Sequence, residues 1–249
     1  MLDVLYEDNH LLAVNKPAML PTMGVADDRE SLIAVAKEYV RRKYNKPGNV
    51  YLGIVSRLDA PVTGVVLLAR TSKAAARLSQ QFREREVEKF YWAIVEGEIE
   101  PQEGRLVDFL RKDERHRKVH ATVESASGAQ RAELAYRLLS VGEESAGLSE
   151  NASVSRSPKL ARGIGALSLL EVRPLTGRKH QIRVQLSHAG FPIVGDRKYD
   201  GRRAFSPGIA LHSRRLVVEH PVSKMQVVME APPPQSWQRF FEGDLGAKM

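Results

Sequence analysis

The run Val65-Val66-Leu67-Leu68-Ala69 is apolar at every position and follows directly on Pro61-Val62-Thr63-Gly64. A short unbroken apolar run bounded by turn residues reads as a buried strand. The chain must therefore build a sheet and cover it. The turn that feeds this strand carries Asp59, with Arg57 two residues earlier. An acid beside a base, on a loop set by a rigid strand, can be held ionised and aimed at a substrate. The same pair also serves elsewhere as an ordinary turn and surface pair, so other parts of the chain must decide.

At 249 residues and 43% hydrophobic content, the chain can bury a core without covalent staples. It has no cysteine, which excludes disulfides, zinc–thiolate sites, iron–sulfur clusters and thiol nucleophiles. A reducing, cytoplasmic setting is expected. The start, Met1-Leu2-Asp3-Val4-Leu5-Tyr6-Glu7-Asp8, lacks the basic and apolar regions of a secretory signal. No apolar run approaches the ~20 residues that span a bilayer, so a soluble protein is expected.

The formal net charge is +8 and the sequence pI about 9.7, which favours a polyanionic partner, nucleic acid or an acidic membrane surface. The bases are clustered. Between Val172 and Gly195 there is no acid, while Arg173, Arg178, Lys179 and Arg183 occur there. Residues 111 to 118 hold five bases against two acids, and Arg197, Lys198, Arg202, Arg203, Arg214 and Arg215 follow. This distribution reads as a phosphate-binding surface.

Periodicity places the elements. Val4–Tyr6 and Leu11–Val14 form a hairpin about the turn Glu7-Asp8-Asn9-His10. Leu32, Val35, Ala36, Tyr39 and Val40 share one helical face, with Ser31 as cap. Thr71 or Ser72 caps a helix with Ala75, Leu78 and Phe82 on one side. Lys89–Val95, Leu167–Val172 and Met225–Met229 are strand-like, and Pro232–Pro234 closes the sheet region. Residues 143–165, rich in Ser, Ala, Gly and Glu, read as a mobile loop insertion within one domain. A helix from His180 to Ala189 ends at Gly190 and carries His180, Arg183 and Ser187 on one face at i, i+3 and i+7.

Several sharper motifs are missing. No phosphate loop and no Gly-x-Ser-x-Gly elbow occur, and His116 with His120 lacks a third metal ligand. Those histidines are expected to be solvated or phosphate-facing. What remains is Asp59 with Arg57, the strand-borne Tyr91 and the helix-borne Arg183.

These pieces stand in a recognisable order. Ser56-Arg57-Leu58-Asp59-Ala60-Pro61-Val62-Thr63-Gly64 matches a pattern usually written His-Arg-Leu-Asp-x-x-Thr-Ser-Gly. Tyr6-Glu7-Asp8 and Val14-Asn15-Lys16-Pro17 precede it. Lys89-x-Tyr91, Thr176-Gly177-Arg178-x-His180-Gln181-Ile182-Arg183, Gly195-Asp196-x-x-Tyr199, Leu211-His212 and His220-Pro221 follow. In this set, covering roughly residues 3 to 234, the chain resembles the RluA-type pseudouridine synthases, which isomerise uridine in ribosomal and transfer RNA.

The resemblance implies an α+β fold: a single catalytic domain over residues 1–249, with a mixed, largely antiparallel sheet, flanking helices and a central basic cleft. A separate N-terminal RNA-binding domain is not expected. Asp59 looks like the family's catalytic aspartate, Tyr91 like the tyrosine that stacks on the target base, and Arg183 like the arginine that pairs with the aspartate. Arg57 looks like the residue that helps hold the flipped conformation. With Arg178, Lys179, His180 and Lys16 it is expected to bind RNA. The implied reaction needs no cofactor and no metal, and the implied partner is ribosomal or transfer RNA, met by a monomer. Ser56 stands where the family has His, Val62-Thr63 where it has Thr-Ser, and Lys179 where Thr or Ser is common. A catalytically silent RNA-binding protein or chaperone on the same scaffold is the alternative; a zinc deaminase is excluded for want of cysteine.

Overall fold

A computed structural model describes residues 2–24, 30–143 and 165–240. It is α+β, with mixed but mostly antiparallel strand pairing and few helices. Chain contacts divide it into two compact units, Met1–Phe90 with His212–Pro232, and Tyr91–Leu211 with Pro233–Met249.

The first unit opens with the expected hairpin, β1 (Val4–Glu7) and β2 (Leu11–Lys16). Asp8 Oδ1 closes it by accepting the His10 and Leu11 N–H groups, both at 2.7 Å. Helix α1 (Leu32–Lys43) runs one turn past the apolar stripe; Ser31 occupies its N-cap position but makes no side-chain cap bond. Then come the short β3 (Gly53–Ile54), β4 (Thr63–Ala69) and α2 (Ser72–Glu84), which Thr71 caps by accepting the Ala74 N–H at 3.1 Å.

β2 pairs antiparallel with β4 along its whole length, from Leu11 opposite Ala69 to Lys16 opposite Gly64. α1 covers one face of this pair, packing Leu32, Ala36 and Val40 on Leu12, Val14, Val66 and Leu68. α2 covers the other, packing Ala74 and Leu78 on Leu11, Ala13, Val65 and Leu67. A strand covered on both faces has no side to give to water, which is why β4 is buried at every position and its sequence does not alternate.

The second unit is an antiparallel sheet of β5 (Glu88–Glu96), β6 (Glu103–Asp113), β7 (Lys118–Thr122), β8 (Gln130–Glu143) and β9 (Ala166–Pro174), ordered β5-β9-β8-β6-β7. Helix α3 (Gln181–His188) lies on it, with Val184 packed among Leu110, Val119, Ala132 and Tyr199. The chain then returns to the first unit through β10 (Leu211–Glu219) and β11 (Gln226–Glu230), an antiparallel pair. β10 meets β4 in parallel, His212 opposite Thr63 and Ser213 opposite Gly64.

β6, β7, β8 and β10 do not follow from the periodicity. The basic cluster at 111–118 is a hairpin tip, in which Asp113 receives the His116 ring at 2.7 Å and stands 3.8 Å from that of His120. β6 exposes Glu103, Arg105 and Val107 and turns Asp108 inward onto Gln185, so its alternation is masked by charge. The expected insertion at 143–165 lies, save for its ends, outside the described residues. Among the described residues no helix is long and apolar enough to cross a membrane.

Candidate active site

In the first unit the site is a turn held from several directions. Asp59 is partly buried, and its carbonyl accepts the Val62 N–H at 3.1 Å, closing the turn. Ahead of it, the Thr22 hydroxyl donates to the Leu58 carbonyl at 2.9 Å and accepts the Leu58 N–H at 3.2 Å. Ser56 accepts the Leu67 N–H at 2.8 Å. It thereby satisfies a donor of β4 between the stretches paired by β10 and β3.

Lys16 approaches the same turn from β2. Its ammonium donates to the carbonyls of Pro17 and Leu20 at 2.8 Å and of Ala60 at 3.0 Å. The expectation that Lys16 meets RNA is corrected here. The residue is fully enclosed, and its three donors are taken by backbone oxygens. Burial lowers its pKa to about 8, opposed by the nearby Asp59 carboxylate, so the two groups feel each other through the turn.

At the far end of the turn, Thr63 Oγ1 lies 2.8 Å from His212 Nδ1, and His212 Nε2 lies 3.1 Å from the Ala231 carbonyl. A carbonyl only accepts, so the ring proton sits on Nε2 and Nδ1 accepts the threonine hydroxyl. Burial drives the imidazole pKa down to about 4, which keeps it in this neutral form. Gly64 has φ +107°, and a Cβ there would stand 2.3 Å from the Ser213 carbonyl oxygen. Only glycine lets β10 come this close.

In the second unit, Tyr91 sits on β5 opposite Val172 and is partly exposed, beside the buried Trp92. Arg183 is 5% exposed and grips Asp196, itself 1% exposed, through Nε–Oδ2 at 2.6 Å and Nη2–Oδ1 at 2.8 Å. This two-pronged bond fixes the guanidinium plane. The Tyr199 ring lies 5.0 Å from its Cζ. Tyr199 accepts the Val119 N–H at 3.1 Å and reaches His180 Nδ1 at 2.6 Å, and Ser187 donates to Asp200 at 3.0 Å. Arg183 and Ser187 share a face of α3 as expected, but His180, expected within the helix, is its N-cap in a left-handed conformation at φ 55°; the segment Asp196–Asp200 bonds to all three.

The turn before α3 is tied to β8. Gln181 accepts from the Thr176 hydroxyl at 2.7 Å and the Arg178 N–H at 2.9 Å, and donates to the Glu133 carbonyl at 2.9 Å. Arg178 and Lys179 project from this turn as exposed cations, as does Arg57 in the first unit, whereas His180 is half-buried against Tyr199. Among the described residues no three His, Asp or Glu side chains converge as a metal would require. Sequence reasoning assigned no role to Thr22, Asp196, Tyr199 or His212. The signal for the last three was their place in the ordered motifs.

Both units thus deliver ionisable or aromatic groups on rigid elements, and comparison with known proteins gives that arrangement its context. A sequence description of RNA pseudouridylate synthases matches residues 10–188. The chain is 33% identical over 250 residues to the tRNA pseudouridine synthase C of Vibrio vulnificus, covering 97% of this chain and 95% of that protein. It is also 33% identical to the protein of that name from Pectobacterium carotovorum, covering 96% of this chain but only 61% of the longer relative. Among solved structures, human RNA Pseudouridylate Synthase Domain Containing 4 superposes with a TM-score of 0.72 at 24% identity, over 95% of this chain and 90% of that one, and has the same fold. A match across most of the chain in sequence, together with this fold, places the protein in the RNA pseudouridylate synthase family, a family of isomerases.

Proposed function

We propose that this chain isomerises uridine to pseudouridine in tRNA, with Asp59 as the carboxylate that acts at the ribose of a flipped-out uridine. The observation that carries the reading is the Asp59 turn itself: a partly buried acid whose carbonyl accepts the Val62 N–H and whose neighbours Leu58 and Ala60 are pinned by Thr22 and Lys16. The relatives named for tRNA support the substrate.

A stacked uridine hides C1′, so the nucleotide must leave the stack at a cost of a few kcal/mol, recovered by aromatic stacking and polar contacts. Tyr91 supplies the ring. Asp59 then either adds to C1′, to be displaced when C5 joins that carbon, or removes the 2′ proton, which it returns to C2′ as C5 joins C1′. Both routes break the N1–C1′ bond, turn the uracil, join C5 to C1′ and release the C5 hydrogen as a proton, with N1 taking up a proton. Nothing is oxidised or reduced. Asp196 holds the Arg183 guanidinium flat, so that in this reading Arg183 serves the reaction as a fixed cation. Arg57, Arg178 and Lys179 meet phosphates.

Release of tritium from tRNA transcripts labelled at uridine C5 tests the proposal. Asp59→Asn is expected to lower the rate by at least a thousandfold; turnover equal to the unaltered protein would refute it. Mapping pseudouridines in cellular tRNA and ribosomal RNA, with and without the protein, identifies the target. RNA binding with no new pseudouridine in either would favour a silent RNA-binding scaffold.

A further inference from the structure

We propose that Thr63 and His212 form a positioning pair that sets the aim of Asp59, with the hydroxyl of residue 63, rather than its bulk, as the working group. The inference rests on the catalytic reading of Asp59 and adds to it two residues that touch no substrate.

The turn from Asp59 to Val62 is closed by one backbone bond. Such a turn pivots unless both ends are fixed. The leading end is fixed at Leu58 by Thr22 and the middle at Ala60 by Lys16. The trailing end enters β4 at Thr63, whose hydroxyl is buried and directed at His212 Nδ1 at 2.8 Å. His212 is itself fully buried and anchored at its other nitrogen to Ala231, which precedes Pro232. The imidazole therefore spans from the end of the turn to the strand pair β10–β11, and both of its nitrogens are used.

The backbone supports the same contact. Residues 212 and 63 are direct partners in the β10–β4 pairing, and the next pair, Ser213 and Gly64, approaches so closely that only glycine fits. The pairing sets β10 against the start of β4, and the side-chain bond locks the rotamer at the hinge between strand and turn. The departure at this position then has a physical explanation. Thr63 stands where the related pattern has serine, and both offer the hydroxyl that Nδ1 accepts. Pre-set geometry of this kind acts on the chemical step, since a catalytic group displaced by about 1 Å can lose on the order of a hundredfold in rate.

The test compares Thr63→Val, of the same shape without the hydroxyl, with Thr63→Ser, His212→Asn and the double variant Thr63→Val/His212→Asn. Single-turnover tritium release is read at saturating 5-labelled tRNA transcript, transcript Kd is measured by filter binding, and circular dichroism verifies folding. If the valine variant does not fold, Thr63→Ala takes its place. Expected are a tenfold to hundredfold loss of rate for Thr63→Val with Kd within threefold, retention in Thr63→Ser, and a double variant no slower than the slower single one. A valine variant within threefold of the normal rate overturns the proposal. So do a serine variant as slow as the valine one, losses that multiply in the double variant, or a loss confined to Kd. Asp59→Asn runs alongside, and a normal rate in that variant would overturn the catalytic reading itself.

Discussion

His212 gives the first unit a residue whose titration reports its surroundings. In the native state it stays neutral down to about pH 4, whereas an unfolded chain protonates it near 6.5. Between those values the unfolded state binds the extra proton, so stability falls as the pH drops through that window, by on the order of 3 kcal/mol from this group. Urea midpoints at pH 7 and pH 4.5 are expected to differ less in His212→Asn than in the unaltered protein; an equal acid loss in both would contradict the assignment. Lys16 runs in the opposite part of the scale. Its lowered pKa means that the folded protein releases a proton near pH 8 that the unfolded chain keeps to about 10.5, so this group adds stability as the pH rises through that range. Neither property is visible in the residue name. Lys16 reads as an RNA contact from the family resemblance and is an internal strut, because three carbonyls converge on it.

At the scale of elements, β4 is the piece that everything in the first unit is built around. It is buried at every position, lies between α1 and α2, pairs with β2 throughout and brings the Asp59 turn to its starting end. Gly64→Ala is expected to be among the most damaging small substitutions, since the added methyl meets backbone and φ is positive. The expected loss is 3 kcal/mol or more, measured by urea unfolding; a loss under about 1 kcal/mol would show that β10 can withdraw at little cost. This element was legible because its pattern is local: an apolar run, a turn before it and a helix cap at Thr71 after it. β6, β8 and β10 were not. Asp108 faces inward to meet Gln185, and β10 buries His212 against Thr63 and Arg214 against the Ala231 carbonyl, so the polar residues that argue against a buried strand are satisfied by partners outside their own element.

For the whole molecule the governing property is the charge of +8. RNA affinity is expected to fall steeply with salt, and Arg178→Ala/Lys179→Ala, which removes two exposed cations from the turn before α3, should flatten the plot of log affinity against log salt by roughly 1.5 to 2. Filter binding of a tRNA transcript between 50 and 300 mM salt measures the slope, and an unchanged slope would remove these residues from the phosphate contact.

The sequence by itself determined the fold class, the buried strand, the helices with their amphipathic faces and the order of the motifs. All of these depend on neighbours within a few residues, or on a pattern spread along the chain. The tertiary structure alone decided which charges are enclosed and what satisfies them. It joined Arg183 to Asp196, filled the space around Lys16 with carbonyls, and brought His212 to Thr63 across 149 positions of chain. The physical reason is burial. A charged or polar side chain removed from water must find a partner in space, and the partner's position in the sequence carries no trace of that need until the chain has folded.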